Sequence, residues 1–245
     1  MKLLLATLWT CFVVTSFGAK LPSGFKKCNL KQISSDMCLP KAIESAIKEM
    51  DHPIKKLGLV SLESLVIPSL IIDSGSQYVA TKQIFKNLKL SGFNETSCSK
   101  AGFNYTENTL NLECVVPNFR LDFNYELHGQ IMMLSVYGNG TGWSIFRDNQ
   151  LGLTFKLGEY EKNGQKYFNI LSQQLDMQPR DLDFDLQNLF DGDEEAADRV
   201  KKIFKQNALD IYHDVKSGYE EAFGKVFAYL FEKILEKVPV SNIFG

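Results

Sequence analysis

Apolar or small side chains recur every three or four residues at Ala196, Val200, Ile203, Asn207, Ile211, Val215, Gly218, Ala222, Val226, Leu230 and Ile234. A second row runs beside them at Phe204, Ala208, Tyr212, Tyr219, Phe223, Phe227 and Phe231. This spacing predicts a helix with a wide buried face, and no proline interrupts it before Pro239. Asp193 is the expected N-cap, followed by the acidic Glu194 and Glu195. Lys233 and Lys237 lie near the far end, so each charge sits where the helix dipole favours it. Unbroken from Ala196 to Val238, such a helix would be roughly 64 Å long at about 1.5 Å per residue. A compact chain of 245 residues has a radius of gyration of only ~18 Å. Either the helix breaks or the molecule is elongated, with other elements laid along it.

Upstream, from Val79 to Leu186, the period changes to two. Phe119, Leu121, Phe123, Tyr125 and Leu127 alternate with polar residues, which predicts a half-buried antiparallel strand. The sets Leu110, Leu112, Cys114, Val116 and Leu151, Leu153, Phe155, Leu157 alternate likewise, and Leu182, Phe184 and Leu186 suggest a last short strand. Asn163-Gly164 predicts a two-residue hairpin. Gly138-Asn139-Gly140-Thr141-Gly142 predicts a further turn, because Gly and Asn supply positive φ. Nearer the N-terminus, Pro40 to Met50 has the pattern of a short amphipathic helix that ends at His52-Pro53. Leu57 to Ile72 is apolar with Pro68 inside, which predicts irregular or edge chain rather than a central strand. The fold class expected is α+β, with a strongly curved antiparallel sheet wrapped around one long C-terminal helix.

The first residues change the setting. Lys2, the apolar run Leu3 to Val14 and the small residues Ser16, Gly18 and Ala19 have the pattern of a secretory signal. The run is about a dozen residues, short of the ~20 a membrane span needs. Residues 1–19 are therefore expected to be removed, leaving 20–245 as one domain in the extracellular space. Loss of Lys2 takes the net charge from −2 to −3. No basic block is present, so neither nucleic acid nor stable membrane insertion is expected. Cys11 leaves with the signal, and Cys28, Cys38, Cys98 and Cys114 remain. Four cysteines in a secreted chain suggest two disulfides. Three connectivities are open, of which Cys28–Cys38 with Cys98–Cys114 pairs local neighbours. No CxxC spacing supports zinc. Asn94, Asn104 and Asn139 each begin an N-x-Thr sequon.

Catalytic patterns are missing: there is no G-x-S-x-G, P-loop, H-E-x-x-H or dinucleotide-binding glycine pattern. His52, His128 and His213 are scattered, and Asp181, Asp183 and Asp185 lack the rest of a calcium loop, so a solvated strand face explains them. The chain is not expected to be an enzyme, to hold a metal or to need a cofactor. What remains is a surplus of apolar residues. Most must form the core, but a sheet curled round one helix also leaves room for an axial apolar tunnel.

Several segments carry a resemblance. Leu21-Pro22, Phe25-Lys26-Lys27-Cys28 and Cys38 before the amphipathic helix resemble the start of the insect takeout and haemolymph juvenile-hormone-binding proteins. Leu65-Val66-Ile67-Pro68-Ser69-Leu70, Asn188-Leu189-Phe190-Asp191-Gly192-Asp193, Glu220-Glu221-Ala222-Phe223-Gly224 and the ending Lys237-Val238-Pro239 to Ile243-Phe244 resemble further motifs of that family. The resemblance implies a super-roll similar in architecture to half of the bactericidal/permeability-increasing and lipid-transfer proteins (TULIP-like). It also implies a hydrophobic tunnel and the role of a carrier for an apolar small molecule. Two departures stand out. Lys56-Leu57-Gly58-Leu59-Val60-Ser61 replaces the family's proline-rich run, and Trp143 stands near the position of a ligand-anchoring tyrosine.

The residues expected to line the tunnel are Phe123, Tyr125, Met133, Trp143, Phe155, Val215, Phe223 and Phe227. The partner expected is a hydrophobic small molecule (terpenoid hormone, fatty acid or similar lipid) bound to a monomer, with an unknown receptor as a further partner. The competing expectation is a secreted signalling protein that acts through its surface, with the interior filled.

Overall fold

A computed structural model describes residues 18–29, 38–76 and 78–243. Apart from Gly18 and Ala19, the expected signal segment lies outside them.

Helix α1 spans Cys38–Glu49, followed by seven strands: β1 Leu65–Gly75, β2 Val79–Ser91, β3 Ser97–Asn104, β4 Thr109–Ile131, β5 Leu134–Lys162, β6 Gln165–Gln178 and β7 Asp181–Leu186. Helices α2 (Glu194–Gln206), α3 (Ala208–Leu235) and the short α4 (Val240–Ile243) close the chain. All seven strands form one open antiparallel sheet with β1-β2-β4-β5-β6 as its main path. β4 and β5 are unusually long, at 23 and 29 residues, against the 3–10 of ordinary strands. Each therefore serves two neighbours on its outer side. β4 pairs β3 with its first half and β2 with its second. β5 pairs β7 first and β6 later.

The two edges of the main path, β1 and β6, both pack on α3. The sheet thus curls round the helix without closing, and α3 fills the opening. At Met177 the β6 edge is satisfied by helix side chains: Glu220 Oε1 accepts from the Met177 N–H at 2.8 Å, and the Tyr212 hydroxyl donates to the Met177 carbonyl at 3.1 Å. Packing a helix against an edge in this way hinders its pairing with another chain.

β1 is the edge strand that Pro68 demands. Pro68 drops out of the β1–β2 register, Asn87 on β2 has φ 50°, and the β2–β4 ladder shifts between Lys86 and Lys89. The hairpin at Asn163-Gly164 forms as expected, with both residues at positive φ. Asp193 caps α2 by accepting from the Ala196 N–H at 3.0 Å.

Two expectations are corrected. The long helical pattern is cut at Asn207 (φ −118°, ψ 22°), whose side-chain amide donates to the Ile203 carbonyl at 2.8 Å. A side chain that bonds the preceding turn competes with helix continuation. The chain then restarts as α3, about 42 Å long. The second correction concerns Gly138 to Gly142, which are strand, not turn. A Cβ at Gly140 would lie 2.2 Å from the Gln187 carbonyl oxygen, and one at Gly138 would lie 2.9 Å from that of Asn188. These glycines let the segment after β7 cross close to β5. The β4–β5 turn is instead made by Met132 and Met133, with φ of 49° and 65°.

Candidate functional site

Two apolar cavities lie inside the roll and share no lining residue. The larger, about 260 Å³, is roofed by α1 through Ala42, Ile43, Ala46, Ile47 and Met50. α1 is held over it by the Cys28–Cys38 disulfide and by Glu44, whose Oε1 accepts from the Cys98 N–H at 2.7 Å. Its floor comes from Leu110, Leu112 and Val116 of β4, Leu151, Leu153 and Phe155 of β5, and Phe227, Leu230, Phe231 and Ile234 of α3. Cys114 also lines it and is bonded to Cys98, directly opposite in the β3–β4 register. Among the lining side chains only Lys26 and Thr96 are polar beyond the cysteine sulfurs.

The smaller cavity, about 120 Å³, lies at the other end of α3, against Ala208, Ile211, Tyr212, Val215 and Tyr219. Phe85, Phe123, Tyr125, Phe146 and Phe184 supply its sheet wall. Its tyrosine hydroxyls are all bonded within the protein. Tyr125 donates to the Gln187 carbonyl at 2.9 Å, Tyr219 to Gln83 Oε1 at 2.8 Å, and Tyr212 to Met177 as above. Burial, with the charge of Asp185 in support, pushes the Tyr125 hydroxyl up to about 12. Burial raises Tyr212 and Tyr219 as well. All three are neutral hydrogen-bonding groups at physiological pH.

Between the cavities stands a wall. Phe119 and Phe223 are fully buried and line neither cavity. Phe119 links Phe93 of the larger cavity (ring centroids 5.3 Å apart) to Phe146 of the smaller (5.9 Å) through two tilted ring contacts. Asn149, on β5 between Phe146 and Leu151, is completely buried, and neither atom of its amide has a hydrogen-bond partner.

The eight residues expected along a tunnel divide accordingly. Phe155 and Phe227 line the larger cavity; Phe123, Tyr125 and Val215 line the smaller. Phe223 belongs to the wall. Two expectations fail. Met133 is 85% exposed at the β4–β5 turn. Trp143 lies opposite Asp122 on the outer face of the sheet, with Arg120 5.2 Å and Lys205 5.9 Å from its ring. The parity of β5 places its neighbour Ser144 inside instead. Thr96, Phe93 and the roof formed by α1 were not anticipated as lining, although the apolar face of α1 was plain in the sequence.

Outside the cavities, the aspartates of β7 are ion-paired rather than clustered. Asp185 meets Lys201 at 3.0 Å and Asp183 meets Lys205 at 3.1 Å, which fastens α2 to the sheet. No group of three or more metal-ligating side chains occurs among the described residues. No helix among them is long and apolar enough to cross a membrane. Asn94, Asn104 and Asn139 are all exposed.

Comparison with known proteins is consistent across sequence and fold. The family model for haemolymph juvenile hormone binding protein matches residues 5–245. The circadian clock-controlled protein daywake of Drosophila melanogaster is 23% identical over 243 residues, covering 96% of this chain and 92% of that protein. Its counterpart in Drosophila yakuba is 22% identical over 242 residues, covering 91% and 88%. The crystal structure of Takeout 1 from Epiphyas postvittana superposes with a TM-score of 0.79 at 19% identity, over 89% of this chain and 99% of that one.

Proposed function

The chain belongs to the haemolymph juvenile hormone binding protein family, a family of hydrophobic-ligand carriers, and from that premise we propose that it is a secreted carrier of an elongated apolar small molecule. Residues 1–19 direct it to the secretory route, 20–245 act as one ligand-binding domain, and the carrier works as a monomer. The observation that supports this reading best is the larger cavity, whose walls are almost wholly apolar. A filled core would leave no such space, since protein interiors pack as densely as organic crystals.

Binding needs no covalent step. Enclosing ~300 Å² of ligand surface at ~25 cal/mol per Å² contributes roughly 7 kcal/mol before ordering costs, which on its own corresponds to a dissociation constant no tighter than about 10 μM. The ligand is a terpenoid or an acyl chain. Trp143 faces outward, so an anchor for juvenile hormone itself is not supplied from that position.

The test is a titration of delipidated protein with terpenoid and fatty-acid probes whose fluorescence rises on burial. Saturable one-to-one uptake is the result expected; no uptake of either class removes the carrier reading. The surface-acting alternative has one observation in its favour. Tyr78, Met132, Met133, Leu134 and Tyr137 are exposed together around the β4–β5 turn. If no probe is taken up, that tip becomes the first place to look for a receptor contact.

A further inference from the structure

Thr96 ends the 3₁₀ turn Phe93–Glu95 and leads into β3, with its own N–H bonded to the Phe93 carbonyl at 3.0 Å. It lines the larger cavity and is 6% exposed, and its hydroxyl oxygen is buried with no hydrogen-bond partner. The other polar side chain of the lining, Lys26, is exposed. A hydroxyl enclosed without a partner opposes folding. The apolar wall around it offers no protein group to satisfy it. A ligand oxygen can do so, and turning about χ1 by about 120° carries the hydroxyl to another staggered position without moving the backbone.

We propose that Thr96 is the polar anchor of the larger cavity, which therefore takes chains that carry one hydrogen-bonding oxygen (alcohol, aldehyde, ester or acid) in preference to plain hydrocarbons. This rests on the carrier reading and adds to it the class of head group and the place in the wall where that group is held. Apolar burial gives affinity without orientation; a single hydroxyl in a dry wall supplies the orientation. The hydroxyl both donates and accepts, so it matches alcohols and carbonyls alike.

Thr96 is also the third residue of the Asn94 sequon. The test must therefore use protein made without N-glycosylation, so that substitution changes the hydroxyl alone. Displacement of a bound fluorescent probe by 1-decanol and by 1-chlorodecane is measured for the wild-type protein, Thr96→Val and Thr96→Ser. Thr96→Val is expected to weaken decanol about three- to tenfold and to leave chlorodecane within about twofold. Thr96→Ser should restore decanol binding. The melting temperature of the unliganded Thr96→Val protein should equal or exceed that of the wild type, because no bond within the protein is lost. Equal weakening of both chains, or of neither, overturns the anchor while leaving the carrier intact. A fall in the melting temperature with unchanged selectivity overturns it too, by giving Thr96 a structural role. Failure of wild-type protein to take up any chain overturns both readings together.

Discussion

Phe119 of β4 and Phe223 of α3 meet edge to face, with ring centroids 5.4 Å apart and planes at 76°. That contact divides the interior. Such pairs contribute about 0.5–1.5 kcal/mol beyond their burial, so the wall is held in place rather than incidental. Phe223→Ala should cost about 3–5 kcal/mol of stability and join the two cavities. Urea unfolding checks the first effect. Competition between decyl and octadecyl chains checks the second: the longer chain should gain relative to the shorter.

Asn149 stands beside that wall with an unbonded amide. Replacing a buried, unsatisfied polar group with an apolar one of similar shape is neutral or favourable. Asn149→Leu should therefore raise stability, by up to about 2 kcal/mol, as read from the urea midpoint. A loss of stability would mean that the amide has a bonded partner in solution.

α1 roofs the larger cavity through Ala46. Ala46→Trp is expected to fill that cavity and reduce uptake of short-chain probes at least about tenfold, since a few kcal/mol of apolar burial is lost. The decisive readout is the probe titration, accompanied by circular dichroism to show that the fold is retained.

The α2–β7 attachment should be sensitive to acid. Burial acts to raise the Asp185 carboxyl, but the hydrogen bond and charge of Lys201 outweigh it, and the group is held below its ordinary value. A carboxyl lowered on folding contributes stability that is present above its unfolded value, about 3.9, and lost as pH falls through the lower folded value. Amide exchange in α2 should therefore accelerate below about pH 4. In Asp185→Asn that pH dependence should flatten and exchange should already be faster at neutral pH.

Much of this architecture was legible in the alternation of residues. Phe119 to Leu127, the Asn163-Gly164 turn, edge-directing Pro68 and the cap at Asp193 each follow from local chemistry, and each is where that chemistry put it. The misplacement of Trp143 has a single physical source. Gly138, Gly140 and Gly142 resemble turn residues in one dimension, because the chain that crosses them lies nearly fifty residues away. Taking them as a turn hides the true turn at Met132-Met133, and with it the register that sends Trp143 outward. The division of the interior was not legible either. Phe223, Phe227 and Phe231 share one helical stripe, and only the position of Phe119 on the facing strand makes Phe223 a wall and leaves the others as lining. Asn207 was in plain sight, but as one polar residue in an apolar row its capping bond could not be separated from a tolerated substitution.

The central claim, that the roll exists to enclose an apolar molecule, is tested most directly by native mass spectrometry of the protein as secreted. The account predicts that organic extraction removes a small, non-covalently held mass from the native species, with the extract yielding a terpenoid or acyl compound. A single species at the unliganded mass, together with an empty extract and no uptake of added probes, would contradict it.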